Sequence, residues 1–223
     1  MARRTLDIAG GGGRTIGNEL TSWEDDPQHG LVLLPGQGYT CDMPAFYYLE
    51  EMALDLGAAV LSLAPHYSQD ERFSGWPLDR EQRAWLRDDV EAGVAALLAA
   101  HDVPRLTVVA KSLTTLGLAG VDWTSLAGAD RAVRLVWLTP LLREAEVAEQ
   151  LSTTVVPSLI VIGTADHHFD QPTIDRLRER RTVSIELVEG ADHSFGQRAD
   201  IDRSLANIGQ VVEAVRSFAF PAT

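Results

Sequence analysis

Three polar residues, each placed just after an apolar run, could together perform nucleophilic chemistry: Ser112, Asp166 and His193. A serine hydroxyl is a weak nucleophile, so it needs an imidazole that accepts its proton as it attacks a carbonyl carbon. The imidazole in turn needs a carboxylate that fixes its tautomer and stabilises its protonated form. These three residue types therefore form a set that could cleave an acyl bond.

The sequence context of these residues predicts that they converge. Asp166 ends the segment Gly163-Thr164-Ala165-Asp166, and His193 ends Gly190-Ala191-Asp192-His193. Each segment follows a predicted strand, and the loops at the carboxyl ends of parallel strands share one edge of a sheet. We expect Ser112, Asp166 and His193 to meet at that edge. Taken singly, Ser112 and Asp166 could be helix caps and His193 a surface loop residue.

The rest of the chain alternates apolar strands with amphipathic helices, which predicts an α/β fold: a doubly wound, mostly parallel sheet with helices on both faces. Strands are predicted at residues 31–34, 58–63, 106–110, 133–138, 158–162 and 183–188. Helices are predicted from Asp42 as N-cap, from Asp79 as N-cap to near His101, and at residues 116–120, 144–151, 171–180 and 201–218. Residues 5–9 and 19–23 flank a glycine run expected to be a flexible turn, which predicts an antiparallel hairpin at one sheet edge.

At Ser112 the sequence resembles the α/β-hydrolase family. The family's Gly-x-Ser-x-Gly nucleophile elbow corresponds here to Ala110-Lys111-Ser112-Leu113-Thr114, and the order Ser, Asp, His along the chain is the family's order. Threonine in place of the second glycine is branched, so we expect the elbow to open slightly or to rely on Gly117. The resemblance implies a catalytic Ser112, Asp166 and His193.

The resemblance also implies an oxyanion hole. Pro35-Gly36-Gln37-Gly38 is similar to the family's His-Gly-x-Gly loop, with proline in place of histidine. The backbone N–H groups of Gln37 and of Leu113 would then bind the oxyanion. A plain glycine-rich turn is the alternative interpretation of this loop.

The connection at residues 139–157 is short, where many family members insert a helical cap, so the chain is similar to small members without a cap. Such members include esterases, thioesterases and dienelactone-hydrolase-like proteins. The expected activity is that of a serine hydrolase acting on a small-molecule acyl substrate without a cofactor. The alternative is a catalytically inactive protein of the same fold that binds a ligand or a partner, which Thr114 and Pro35 favour.

Several further residues have both a functional and a structural interpretation. His66, Tyr67 and Trp76 follow a strand at the predicted site edge and could line a substrate pocket, although packing explains them equally well. Cys41 is interpreted as a packed small side chain rather than a reactive thiol. His167, His168 and Asp170 cluster with Asp166 and could bind a divalent metal, but adjacent residues point apart and no separated third ligand is evident, so a metal site is not expected. Three tryptophans are assigned to the core: Trp85, Trp123 and Trp137.

Composition narrows the class of protein. The 223 residues carry 19 basic and 32 acidic side chains, so the net charge is 19 − 32 = −13, and nucleic acid and anionic membranes are poor partners. Lys111 is the only lysine, and Cys41, the only cysteine, has no partner for an internal disulfide. No export signal or apolar run long enough to span a membrane is present. We expect one domain over residues 1–223 and a cytoplasmic location.

Overall fold

The computed structural model describes residues 2–127 and 131–221, and the strands there form one mixed sheet. In chain order the strands are β1 (Ala2–Arg4), β2 (Gly17–Ser22), β3 (His29–Leu34), β4 (Ala59–Ala64), β5 (Arg105–Lys111), β6 (Ala132–Leu138), β7 (Ser158–Gly163) and β8 (Val183–Val188). The helices are α1 (Pro44–Asp55), α2 (Arg80–Ala100), α3 (Thr114–Gly120), α4 (Ala145–Thr153), α5 (Gln171–Leu177) and α6 (Ile201–Ala219).

The strand order is β1-β2-β4-β3-β5-β6-β7-β8. The pairs β1–β2 and β2–β4 are antiparallel, and the neighbouring pairs from β4 through β8 are parallel. The loops after β3, β5, β7 and β8 therefore open at the same edge of the sheet. This confirms the predicted doubly wound topology, with α4 as the helix between β6 and β7 and no cap.

Helices cover both faces of the sheet because successive strand residues point to opposite sides. On β3, Val32 and Leu34 join a core with α2, α3, α4 and α5, whereas Leu31 and Leu33 join a second core with α1 and α6. The parallel strands are buried on both faces, which explains their continuous apolar runs. The edge of the sheet at which the predicted site lies is therefore between these two cores.

Local sequence accounts for the long helix α2. The Asp79 side chain accepts a hydrogen bond from the Gln82 N–H at 2.8 Å, and the Gln82 side chain accepts from the Asp79 N–H at 2.6 Å. This reciprocal capping box is the one that the sequence predicts. No described helix is both long enough and apolar enough to cross a membrane.

The predicted antiparallel pair at one sheet edge is present, but its first strand was placed wrongly. The edge strand is β1, at Ala2–Arg4, and residues 5–9 form no strand; there the Asn18 side chain bonds the main chain of Leu6. The glycine run is not a loose turn either. A Cβ on Gly11 would lie 2.3 Å from the Cα of Trp85, so this segment packs directly onto α2.

Three smaller corrections concern helix ends and burial. Met43 rather than Asp42 occupies the N-cap position of α1, without a side-chain capping bond. The Ala45 N–H donates instead to the Tyr39 hydroxyl oxygen at 3.0 Å. Helix α5 ends at Leu177 rather than at residue 180. Trp123 and Trp137 are buried as predicted, but Trp85 is only half-buried, with its ring under the Arg72 guanidinium.

Candidate active site

Ser112 lies on a sharp turn between β5 and α3. Its φ is 55°, in the left-handed region that costs a non-glycine residue on the order of 1 kcal/mol or more. The Ser112 N–H donates to the Leu138 carbonyl oxygen at 3.0 Å, which holds the turn against the end of β6. The strained turn therefore places the hydroxyl at the edge of the sheet.

Two glycines allow the close packing around this turn. A Cβ on Gly36 would lie 3.1 Å from the Ser112 Cβ, so the loop after β3 passes directly beside the serine. A Cβ on Gly117 would lie 2.4 Å from the Leu86 carbonyl oxygen, so α3 contacts the backbone of α2. The close approach at Gly117 is therefore between α3 and α2, and not at the elbow between β5 and α3, where the sequence predicted it.

His193 bridges Ser112 and Asp166. Its Nε2 lies 2.7 Å from the Ser112 Oγ, and its Nδ1 lies 2.8 Å from the Asp166 Oδ2. An ionised carboxylate can only accept, so Nδ1 carries the proton and Nε2 accepts from the serine hydroxyl. The structure brings these three predicted residues together from loops after β5, β7 and β8.

Asp166 is held in its ionised form although its side chain is fully buried. Burial alone would raise its pKa. The hydrogen bond from His193, the bond from the His168 N–H to Oδ1 at 2.8 Å and the nearby imidazoles bring the pKa below its usual value. Asp166 can therefore act as an acceptor for His193 at neutral pH.

The carboxylate and imidazole loops are positioned by a close contact between their backbones. A Cβ on Gly163 would lie 2.0 Å from the Ala191 carbonyl oxygen, so only glycine fits at the end of β7. The Ala165 N–H also donates to that oxygen at 3.0 Å. These contacts set the separation of Asp166 from His193.

Comparison with known proteins finds similarity at the level of structure. No family model and no curated protein sequence matches the chain. An α/β serine hydrolase homologue from Coxiella burnetii aligns with a TM-score of 0.68 and 16% identity over 96% of this chain and 97% of that one. An α/β serine hydrolase without a lid from Xanthomonas campestris aligns with a TM-score of 0.68 and 16% identity, over 99% of this chain and 96% of that one. An esterase from Pyrococcus furiosus aligns with a TM-score of 0.66 and 14% identity, over 98% of this chain and 91% of that one.

The chain has the α/β-hydrolase fold. The loop Pro35-Gly36-Gln37-Gly38 follows β3, the strand that pairs with β5 and so lies next to the strand before Ser112. Within the described residues, neither the Gln37 N–H nor the Leu113 N–H has an intramolecular acceptor. Both residues line the cavity beside Ser112, so both N–H groups are free to bind a ligand oxygen.

A cavity of about 520 Å³ opens above Ser112. Besides Lys111 and the residues already discussed, aromatic, imidazole, aliphatic and hydroxyl side chains line the cavity. They are Tyr39, Trp76, Leu141, His167, His168 and Ser194. Among the residues that the structure describes, no Asp or Glu is part of this lining.

Of the three residues predicted to line a substrate pocket, the structure places only Trp76 in the cavity wall, with 53% of its surface exposed. Tyr67 is buried in the core, and its hydroxyl donates to Asp89 at 2.7 Å. His66 is exposed and does not line the cavity. The expectation was therefore wrong for Tyr67 and His66. Tyr67 begins a short 3₁₀ helix, Tyr67–Gln69, with its side chain buried, whereas His66 before it is exposed.

The other candidate groups lie as follows. The structure supplies the separated third ligand that was not evident in the sequence, since donor atoms of Asp166, His167 and His193 lie within 4.8 Å of one another. The Nδ1–H of His193 is, however, hydrogen-bonded to the Asp166 Oδ2, and a metal ion bound between them would displace that proton. Asp170 caps α5 instead, and accepts from the Thr173 N–H. The Cys41 thiol lies 3.4 Å from the Leu63 carbonyl oxygen, and burial raises its pKa, so it is a packed side chain.

Sequence reasoning missed Tyr39 and Leu141 in the cavity wall. Tyr39 directly follows the loop that contains Gln37, and this adjacency was the available signal. Leu141 follows β6, whose loop opens at the same edge. Lys111 was noted only as the single lysine of the sequence, because its contacts depend on residues that are distant in sequence.

Proposed function

We propose that this protein is a serine hydrolase that cleaves a carboxylic ester or thioester through an acyl-enzyme on Ser112. The observation that carries the proposal is the continuous pair of hydrogen bonds from Ser112 through His193 to Asp166. A ligand-binding protein with this fold has no need to keep that alignment. The geometry therefore favours an enzyme over the inactive alternative.

Acylation begins when the Ser112 oxygen attacks the substrate carbonyl carbon and its proton moves to the His193 Nε2. Asp166 stabilises the resulting imidazolium through Nδ1. The N–H groups of Gln37 and Leu113 bind the oxyanion of the tetrahedral intermediate. His193 then gives its proton to the leaving alcohol or thiol, and the acyl group stays on Ser112.

Deacylation repeats the same steps with water. His193 takes a proton from the water, which attacks the acyl carbon, and returns it to the Ser112 oxygen as the acid leaves. The open cavity admits water directly. We further propose that the substrate is a small molecule and that the protein is cytoplasmic; its net charge of −13 supports neither nucleic acid nor an anionic membrane as a partner.

The test uses a fluorophosphonate probe with p-nitrophenyl short-acyl esters and matched acyl thioesters. We expect the wild type to be labelled and to turn over at least one substrate class. Ser112→Ala should abolish labelling, and Ser112→Ala or His193→Ala should each lower kcat by several orders of magnitude, since the residues act as a unit. A wild type that reacts with none of these reagents, or an equally reactive Ser112→Ala, would falsify the proposal.

A further inference from the structure

Lys111, the only lysine, is buried beside Ser112 rather than exposed. It is the last residue of β5, and none of its surface is accessible. Its Nζ donates to the main-chain oxygen of His193 at 2.6 Å and to the Thr139 Oγ1 at 2.7 Å. A buried ammonium group without any partner would destabilise the fold by several kcal/mol, so these two contacts stabilise its burial.

The surroundings of the Lys111 amino group combine aromatic rings and carboxylates. Nζ lies 4.6 Å from the centroid of the Tyr39 ring and 5.1 Å from that of Phe195. The titratable groups that face it are Tyr39 before α1, Asp166 after β7, and Asp192 and His193 after β8. Burial outweighs the attraction of the two carboxylates and lowers the pKa of Lys111 to about 7.

The His193 carbonyl belongs to a tight turn that fixes the imidazole. The Asp192 Oδ1 accepts from the N–H groups of Ser194 and Gly196 at 2.8 and 2.9 Å, which closes the turn from one side. Phe195 is fully buried with a φ of 64° and attaches the turn to the core. Lys111 bonds the turn from the side of the sheet, one residue away from the nucleophile.

We propose that Lys111 is a positioning residue: by binding the His193 carbonyl oxygen, its amino group keeps the imidazole aligned with the Ser112 hydroxyl. This inference rests on the proposed function, because alignment matters only where His193 moves a proton. Displacing such a group by about 1 Å can lower turnover by about 100-fold. The link is direct, since residues 111 and 112 are adjacent in the chain.

Two substitutions separate alignment from simple packing. Lys111→Met keeps an unbranched chain of similar volume and removes the donors and the charge. Lys111→Gln keeps N–H donors on a side chain that is one bond shorter, and removes the charge. As a matched control, Thr139→Val removes the other acceptor of Lys111 and leaves its bond to His193. Thermal unfolding and near-ultraviolet circular dichroism establish that each variant is folded.

We expect Lys111→Met to lower kcat by about 10- to 100-fold while KM changes less than about twofold. Lys111→Gln should recover part of kcat, because its amide N–H can still reach toward the His193 carbonyl oxygen, which a loss of packing alone would not predict. Thr139→Val should remain close to the wild type in kcat.

The outcomes distinguish this inference from the function on which it rests. An active wild type together with a Lys111→Met variant of unchanged kcat overturns the role of Lys111 and leaves the hydrolase proposal standing. The same holds if only KM changes. If Lys111→Met does not fold, Lys111→Gln decides: its shorter side chain restores the bond to the His193 carbonyl oxygen only in part, so a kcat equal to that of the wild type rejects the role. A wild type inactive on every ester and thioester rejects both proposals.

Discussion

The Thr114 hydroxyl lies 2.8 Å from the main-chain oxygen of Leu34, which joins the first turn of α3 to the end of β3. The same hydroxyl accepts from the Lys111 N–H at 3.1 Å. Strand β3 leads directly into the loop that contains Gln37. The threonine that replaces the second glycine of the elbow pattern therefore connects the Ser112 turn to the proposed oxyanion loop.

Removing this hydroxyl tests the connection. Thr114→Val keeps the branched shape but leaves buried polar main-chain groups with fewer partners, so we expect the free energy of unfolding to fall by about 1–3 kcal/mol. We also expect a lower kcat, since the loop that contains Gln37 is less firmly placed. Urea unfolding and ester turnover measure the two effects. Thr114→Ser, which keeps the hydroxyl, is the control, and a valine variant as stable as the serine variant would count against the connection.

Much of the site was predictable because its rules are local. The strands, the glycines and the segments that contain Ser112, Asp166 and His193 are each short. Parallel topology then brings the loops after the strands to one edge of the sheet. The Asp79 cap and the strand boundaries follow from the same kind of local information. The fold class, which was predicted from these local patterns, is confirmed.

The errors concern residues whose environment depends on distant parts of the chain. The sequence around Tyr67 does not show that its hydroxyl reaches Asp89 on α2. The glycine run was interpreted as a flexible turn because nothing nearby reveals that Trp85 and Asp89 lie against it. For the same reason the sequence could not show that Lys111 bonds the carbonyl of His193, which is distant in sequence.

The buried carboxylate of Asp89 should be a major contributor to stability. It pairs with Arg14 and accepts from the Tyr67 hydroxyl and the Gly11 N–H, although burial raises its pKa. Asp89→Ala leaves these donors unpaired, so we expect the free energy of unfolding to fall by about 3–5 kcal/mol in urea unfolding.

The neighbouring residue Asp88 is a matched control for Asp89. Its side chain is 41% exposed and pairs with Arg87 at the surface. Exposed pairs of this kind contribute about 0–1 kcal/mol, so Asp88→Ala should change the stability only slightly. Equal losses for the two alanine variants would show that the buried network around Asp89 contributes no more than a surface pair.

Trp76 should affect substrate selection rather than folding. Its ring lines the cavity and is half exposed, so its loss removes little core packing. We expect Trp76→Ala to lower kcat/KM by about tenfold for esters with a bulky apolar acyl or leaving group, and less for acetyl esters. Trp23→Ala, at an exposed tryptophan outside the cavity lining, should leave kcat/KM unchanged for both kinds of ester. An unaltered substrate profile together with a lower Tm would assign Trp76 to structure alone.

The titration of Lys111 should appear in the pH dependence of stability. Burial lowers its pKa from 10.5 to about 7, so between these values the unfolded chain binds a proton that the folded chain has lost. The free energy of unfolding contributed by this residue therefore rises with pH across that window. Urea unfolding of the wild type and of Lys111→Met at pH 6.5 and pH 9 should show a gain with pH that is larger for the wild type. All other titrating groups are common to both chains, so parallel pH dependences would mean that Lys111 keeps its proton in the folded state.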